Sequence, residues 1–156
     1  MTVRVKEGSN EALVEVVANL REDDVREFTS ISQCESREAM CADLIRRYAD
    51  RNDTFAAFDN GTAVAFGAMV RTRPDVISAG FFATDAFNRV ALPVARFVKR
   101  TLLPAYAEQQ FRIECVVMES YEQAVRFVRL LGFRENEQLP GFGKRGENFI
   151  RFVWGG

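Results

Sequence analysis

Between Arg112 and Phe133 the chain spells out a unit that can be assembled in few ways: a short apolar strand, an amphipathic helix and an abrupt stop. Ile113, Cys115 and Val117 alternate, the period of a strand that shows one face to a core. Ala124, Phe127, Val128 and Leu131 then fall at i, i+3, i+4 and i+7, a single stripe along a helix. Gly132 can take the left-handed conformation that closes a helix, and Phe133 starts the next apolar run. An α/β fold follows from that alternation.

The other elements are read in the same way. Residues 53–58 and 63–70 flank Asp59-Asn60-Gly61, and Asn-Gly between two apolar runs marks a tight hairpin. Arg73-Pro74-Asp75 turns the chain into a further strand over 77–83. Upstream, residues 13–17 read as the first strand, and Asn19 or Asp23 as the cap of a helix with an acidic first turn (Glu22, Asp23, Asp24). Ser36 opens a second helix, with Ala39, Met40, Asp43, Leu44 and Arg47 at helical spacing. Thr84 and Asp85 cap a helical stretch running to about Gln110. Pro93 inside it predicts a short helix to Leu92 and a fresh start at Pro93. Residues 134–139 and 149–154 read as two antiparallel strands joined by a glycine-rich loop.

The order is strand, two helices, three strands, helix, strand, helix, two strands, with no linker or repeat, which predicts a single domain over 1–156. Hydrophobic content of 47% and charged content of 28% are those of an ordinary soluble globule. The net charge of −1 gives no global field to draw in nucleic acid or an anionic membrane. Histidine is absent, which removes the commonest general base and the commonest metal ligand. Cys34, Cys41 and Cys115 form no CxxC pair, so no metal site is expected, and three free thiols suit a reducing compartment. The first residues do not read as a signal peptide, so none is expected, and no apolar run approaches the roughly 20 residues of a membrane span. The expected place of synthesis is the cytosol.

Gly141-Phe142-Gly143-Lys144-Arg145-Gly146 matches GxGxxG, but a dinucleotide site needs that loop between a strand and a helix. Here a strand-like run follows, so the motif reads as a hairpin turn. Cys115 reads as a buried apolar residue, since no histidine can activate it. Glu114 and Glu119 are carboxylates that read more readily as solvated or capping groups than as bases. No catalytic residue is therefore assigned.

The strand–helix–Gly132-Phe133 unit, together with the element order, resembles the GNAT acyltransferase fold over nearly the whole chain. The resemblance implies a mixed, largely antiparallel, twisted sheet of six or seven strands flanked by helices, its fourth and fifth strands parallel and splayed. It also implies a cofactor loop of the form Arg/Gln-x-x-Gly-x-Gly/Ala after the fourth strand. The corresponding stretch is Asp85-Ala86-Phe87-Asn88-Arg89-Val90-Ala91-Leu92-Pro93, without glycine. Glycine lets backbone N–H groups approach a pyrophosphate, whereas proline has no N–H to offer. Where many GNAT enzymes carry a general-acid tyrosine, this chain has Val128; where an asparagine is usual, it has Tyr121.

A narrower resemblance is to the GNAT-like internal virion protein A, or "phage acetyltransferase", family of short-tailed bacteriophages. The residues carrying it are Ala18-Asn19-Leu20-Arg21-Glu22-Asp23-Asp24-Val25-Arg26-Glu27, Phe82-Ala83-Thr84-Asp85, residues 124–133, and an aromatic strand followed by Gly155-Gly156. Glu119-Ser120-Tyr121-Glu122 departs from the Gly-Asn-Thr type of segment in that family.

This resemblance implies a virion-associated or morphogenesis protein that docks on portal, core or ejection proteins, has no cofactor, and allows a homo-oligomer or multicopy ring. The expected docking residues are Arg89, Arg96 and Arg100, spaced to share one helical face with Lys99 beside it, and Phe142, Phe149 and Trp154 on a carboxy-terminal edge hairpin. The alternatives are an acetyl-CoA-dependent N-acetyltransferase using Phe82, Thr84 and Arg89 for its cofactor, or a host-directed inhibitor.

Overall fold

The computed structural model describes residues 2–155. In chain order these form β1 (Val3–Glu7), α1 (Asn10–Val17), α2 (Glu22–Ser30), α3 (Arg37–Tyr48), β2 (Thr54–Asp59), β3 (Thr62–Arg73) and β4 (Val76–Ala83). A 3-10 turn (Asp85–Arg89) follows, then α4 (Ala91–Phe97), a π turn (Val98–Leu102), α5 (Leu103–Ala107), β5 (Arg112–Met118), α6 (Glu122–Leu130), β6 (Phe133–Leu139) and β7 (Phe149–Trp154). The strands make one seven-stranded sheet in the order β1-β2-β3-β4-β5-β7-β6. All pairings with a recorded register are antiparallel except β4 with β5, which is parallel from Val76↔Arg112 to Ser78↔Glu114.

The hairpin at Asn60-Gly61 forms as expected. Both residues have positive φ (51° and 86°), the mirror-image turn that matches strand twist. Ser36 caps α3 by accepting the Ala39 N–H, and β7 has the bounds expected of it. The first strand does not lie at 13–17. Those residues belong to α1, capped by Ser9, whose Oγ accepts the Ala12 N–H. Ala12, Leu13, Val16 and Val17 are buried, a helical repeat that a Val-rich run disguises as strand. The real first strand is Val3–Glu7, paired antiparallel with β2. Arg21, rather than Asn19 or Asp23, holds the cap position of α2.

The described residues through Met69, with Gly80–Val94, form one compact unit, and Val70–Ala79 with the residues from Ala95 onward form another. In the first, Leu13 and Val16 of α1 and Met40 and Leu44 of α3 are buried with Phe66 and Phe82 of the sheet. In the second, Met118, Tyr121 and Phe149 form a buried cluster backed by Val116, Ala124 and Leu139.

Two expectations about surfaces are corrected. The helical stretch breaks at Val90 instead of Pro93, which sits inside α4, so Arg89 ends the separate 3-10 turn and shares no helix with Arg96 and Arg100. The π turn adds a further offset: Val98 is buried, and the next buried position is Leu103, five residues on. The carboxy-terminal hairpin does end the sheet, but β6 forms the edge and β7 lies inside it, between β5 and β6. Phe149 is 0% exposed and Phe152 likewise, so Phe149 is a core residue and no surface anchor.

Candidate functional site

The end of β4 and the turn after it carry the chemistry that the first unit offers. Alternation along β4 sends Phe82 to one face, where its ring stacks on Phe66 at 5.6 Å and meets Tyr48 at 5.9 Å. Phe81 goes to the other, edge-on to Phe87 at 5.1 Å. The Ala83 N–H donates to Asp24 Oδ2 (2.7 Å), and its carbonyl accepts from the Arg21 N–H (3.0 Å). The Arg21 fork holds Asp24 at 2.9–3.2 Å while its guanidinium lies 5.7 Å from the Phe87 ring centroid. The segment between α1 and α2 is thereby fastened to the end of β4, and a buried carboxylate (Asp24, 5% exposed) has partners for its charge.

Three backbone donors of the turn are already committed. Thr84 N–H goes to Val64 O (2.9 Å), Phe87 N–H to Thr84 O (3.1 Å), and Val90 N–H to Phe87 O (2.9 Å). Phe82 and Thr84 are buried. With Val90 committed and Pro93 lacking an N–H, this turn does not match a glycine cradle of consecutive backbone donors. What it presents outward is a side chain: Arg89 is 71% exposed, with Nη2 3.4 Å from Oδ2 of Asp59. Asp59 is 8% exposed, and its Oδ1 is buried with no hydrogen-bond partner. Arg89 is the exposed cation that this turn offers a phosphate group.

Tyr48, at the end of α3, was not singled out in the sequence. Its hydroxyl lies 3.4 Å from where a Cβ on Gly80 of β4 would stand. Burial pushes its phenol above the ordinary value of 10.0, against the pull of Arg47 and Arg51, so it carries its proton at neutral pH.

In the second unit, Tyr121 is 3% exposed and packs with Met118 and Phe149 at the start of α6. Val128 is half-buried, and its side chain has no proton to donate. Glu114 is engaged by Arg73 and Arg112, each at 3.2 Å, as an ion-paired group. The Glu119 side chain is exposed. The Gly141–Gly146 loop is a hairpin turn: Gly143 N–H donates to Glu147 O and Gly146 N–H to Gly143 O, both at 2.9 Å. Arg96, Lys99 and Arg100 are exposed and have no acidic partner among the described residues. Phe142 is 46% exposed, whereas Trp154 is half-buried and donates from Nε1 to Leu131 O (2.8 Å). Among the described residues no helix is long and apolar enough to cross a membrane.

No family model matches the sequence, and no curated protein matches it. Solved structures do match. An N-acetyltransferase from Staphylococcus aureus Mu50 is 14% identical, with a TM-score of 0.71 over 98% of both chains. The GNAT-family acetyltransferase from Bacillus anthracis is 10% identical, with a TM-score of 0.71 over 98% of this chain and 94% of that one. The yncA structure from Salmonella typhimurium, containing its cofactor acetyl-CoA, is 12% identical, with a TM-score of 0.69 over 98% of this chain and 93% of that one. At these identities the likeness is one of fold, and the seven-stranded, mostly antiparallel sheet flanked by helices is the GNAT acetyltransferase fold.

Proposed function

We propose that the chain is an acetyl-CoA-dependent N-acetyltransferase that contacts the cofactor's phosphates through the Arg89 side chain. The observation that carries this reading is the near-complete coverage of acetyltransferase structures, including one that contains acetyl-CoA. Bound acetyl-CoA supplies an activated acetyl group; the protein's part is to hold and orient it. Arg89 offers a planar fork with several N–H donors, suited to a phosphate even where backbone donors are scarce. Tyr48 keeps a protonated hydroxyl beside β4 at neutral pH.

A site that leans on one guanidinium binds more weakly than a backbone cradle. Calorimetry should give a dissociation constant of about 1–100 μM, or roughly −8 to −5.5 kcal/mol. No heat of binding at millimolar acetyl-CoA overturns the proposal.

A second reading is favoured by the exposed cations of the α4–α5 stretch, unpaired among the described residues, and by the exposed Phe142. On it, the chain is a virion-associated phage protein that docks on portal, core or ejection components, as the narrower sequence resemblance implies. Particles carrying Arg96→Glu with Arg100→Glu would then lose this protein or infect poorly. Normal incorporation and infectivity would remove that face from consideration, and absence of the protein from particles and assembly intermediates would remove the virion role.

A further inference from the structure

We infer that Asp59 is the positioning residue for Arg89, holding its guanidinium ready for a phosphate-bearing ligand; this rests on the acetyltransferase reading. Asp59 ends β2, immediately before the Asn60-Gly61 turn. That turn is tied to the residue just before β1: Asn60 N–H donates to Thr2 O (2.8 Å), and Thr2 N–H donates to Asn60 Oδ1 (2.9 Å). The carboxylate therefore sits on a rigid corner, 8% exposed, with one oxygen wholly buried and without a hydrogen bond.

A buried carboxylate in that condition is costly unless it serves a partner, and its ion-pair partner is Arg89. Arg89 closes the 3-10 turn after β4 and is 71% exposed. One nitrogen faces Asp59 while the side chain as a whole stays 71% exposed, which leaves donors from which an anion can take two parallel N–H bonds. An exposed arginine ordinarily spends rotamer entropy to bind. A tether at one end removes part of that loss beforehand. The ligand chemistry is a phosphate ester or diphosphate, as coenzyme A carries.

The test is calorimetry with coenzyme A on the full chain. Arg89→Ala should lower affinity about tenfold or more, the size of a lost charge-assisted hydrogen bond. Asp59→Asn should lower it several-fold, and the double variant should be no weaker than Arg89→Ala alone. Arg89→Lys, which keeps the charge without the fork, should fall between wild type and Arg89→Ala. Unchanged affinity in Asp59→Asn, or losses that add in the double variant, overturns the inference.

A measurement on the wild-type chain guards against a variant that fails to fold. The Arg89 Nε–H should be more ordered by NMR than that of Arg96, and equal mobility overturns the inference. If wild type binds coenzyme A and Arg89→Ala binds it equally well, this inference alone falls. If wild type binds none at millimolar concentration, the acetyltransferase reading falls with it.

Discussion

Gly132 closes α6 with φ 102°, and a Cβ built there would stand 3.0 Å from Trp154 Nε1. That nitrogen donates to the Leu131 carbonyl at 2.8 Å, one of the helix-end acceptors left over by α6. Gly132→Ala therefore imposes two costs. An L-residue held in the left-handed region costs about 1–2 kcal/mol. Displacing the indole leaves a partly buried carbonyl without its donor, which costs about 1 kcal/mol more. The total of about 2–3 kcal/mol corresponds to a fall in Tm of about 4–12 °C for a chain of this size. Gly61→Ala is the matched control: φ is 86°, but nothing stands within 4 Å of the added carbon, so it bears only the backbone cost. Urea denaturation of both variants, with unchanged m, measures the difference. Equal losses would show that the Trp154 contact contributes nothing, and no loss in either would refute the left-handed argument itself.

Ser36→Ala removes the side-chain acceptor of the Ala39 N–H and should cost about 1 kcal/mol in the same assay, with full stability ruling out a cap. Tyr48 should be a late-titrating tyrosine in an alkaline absorbance titration, and Tyr48→Phe should delete that component. Its folded pKa is raised chiefly by burial, so its contribution is complete below the unfolded value of about 10 and lost as pH rises through the folded one. Asp53 behaves in the opposite sense: the Arg51 hydrogen bond lowers its pKa, so its contribution is present above the unfolded value of about 3.9 and lost as pH falls through the folded one. The pair is partly exposed, so Arg51→Ala should flatten acid unfolding by no more than about 0.5 kcal/mol, and a larger change would mean that solvent does not screen the pair as its exposure implies.

Features set by neighbouring residues were legible in the sequence. Asn60-Gly61 demands its turn, Ser36 caps its helix, and residues 149–154 alternate as a strand wherever that strand is placed. What remained hidden depends on partners far along the chain. Val3 and Val5 are only half-buried, and they become a strand because β2 accepts them at Asp59 and Ala57, 56 and 52 residues later. The burial of Phe149 follows from β7 entering between β5 and β6, which alternation within 149–154 cannot reveal. Arg89 is visible in the sequence as a candidate, but Asp59, which gives it an anchor, precedes it by 30 residues and looks there like nothing more than part of a turn. Tyr48 gave no signal at all, since its interest lies in a glycine on another element.

The π turn leaves the helical stretch with one residue more than regular winding needs. Val98 and Leu103 both reach the interior, and the surplus is absorbed at exposed Lys99, Arg100 and Thr101. Excising one of those three would put Val98 and Leu103 four apart, the spacing of an ordinary helix, with both still facing inward. The stretch thus holds a reserve of length. A single-residue deletion there would convert a wide turn into a standard one, whereas the same deletion inside α6 would rotate Phe127, Val128 and Leu131 out of their stripe.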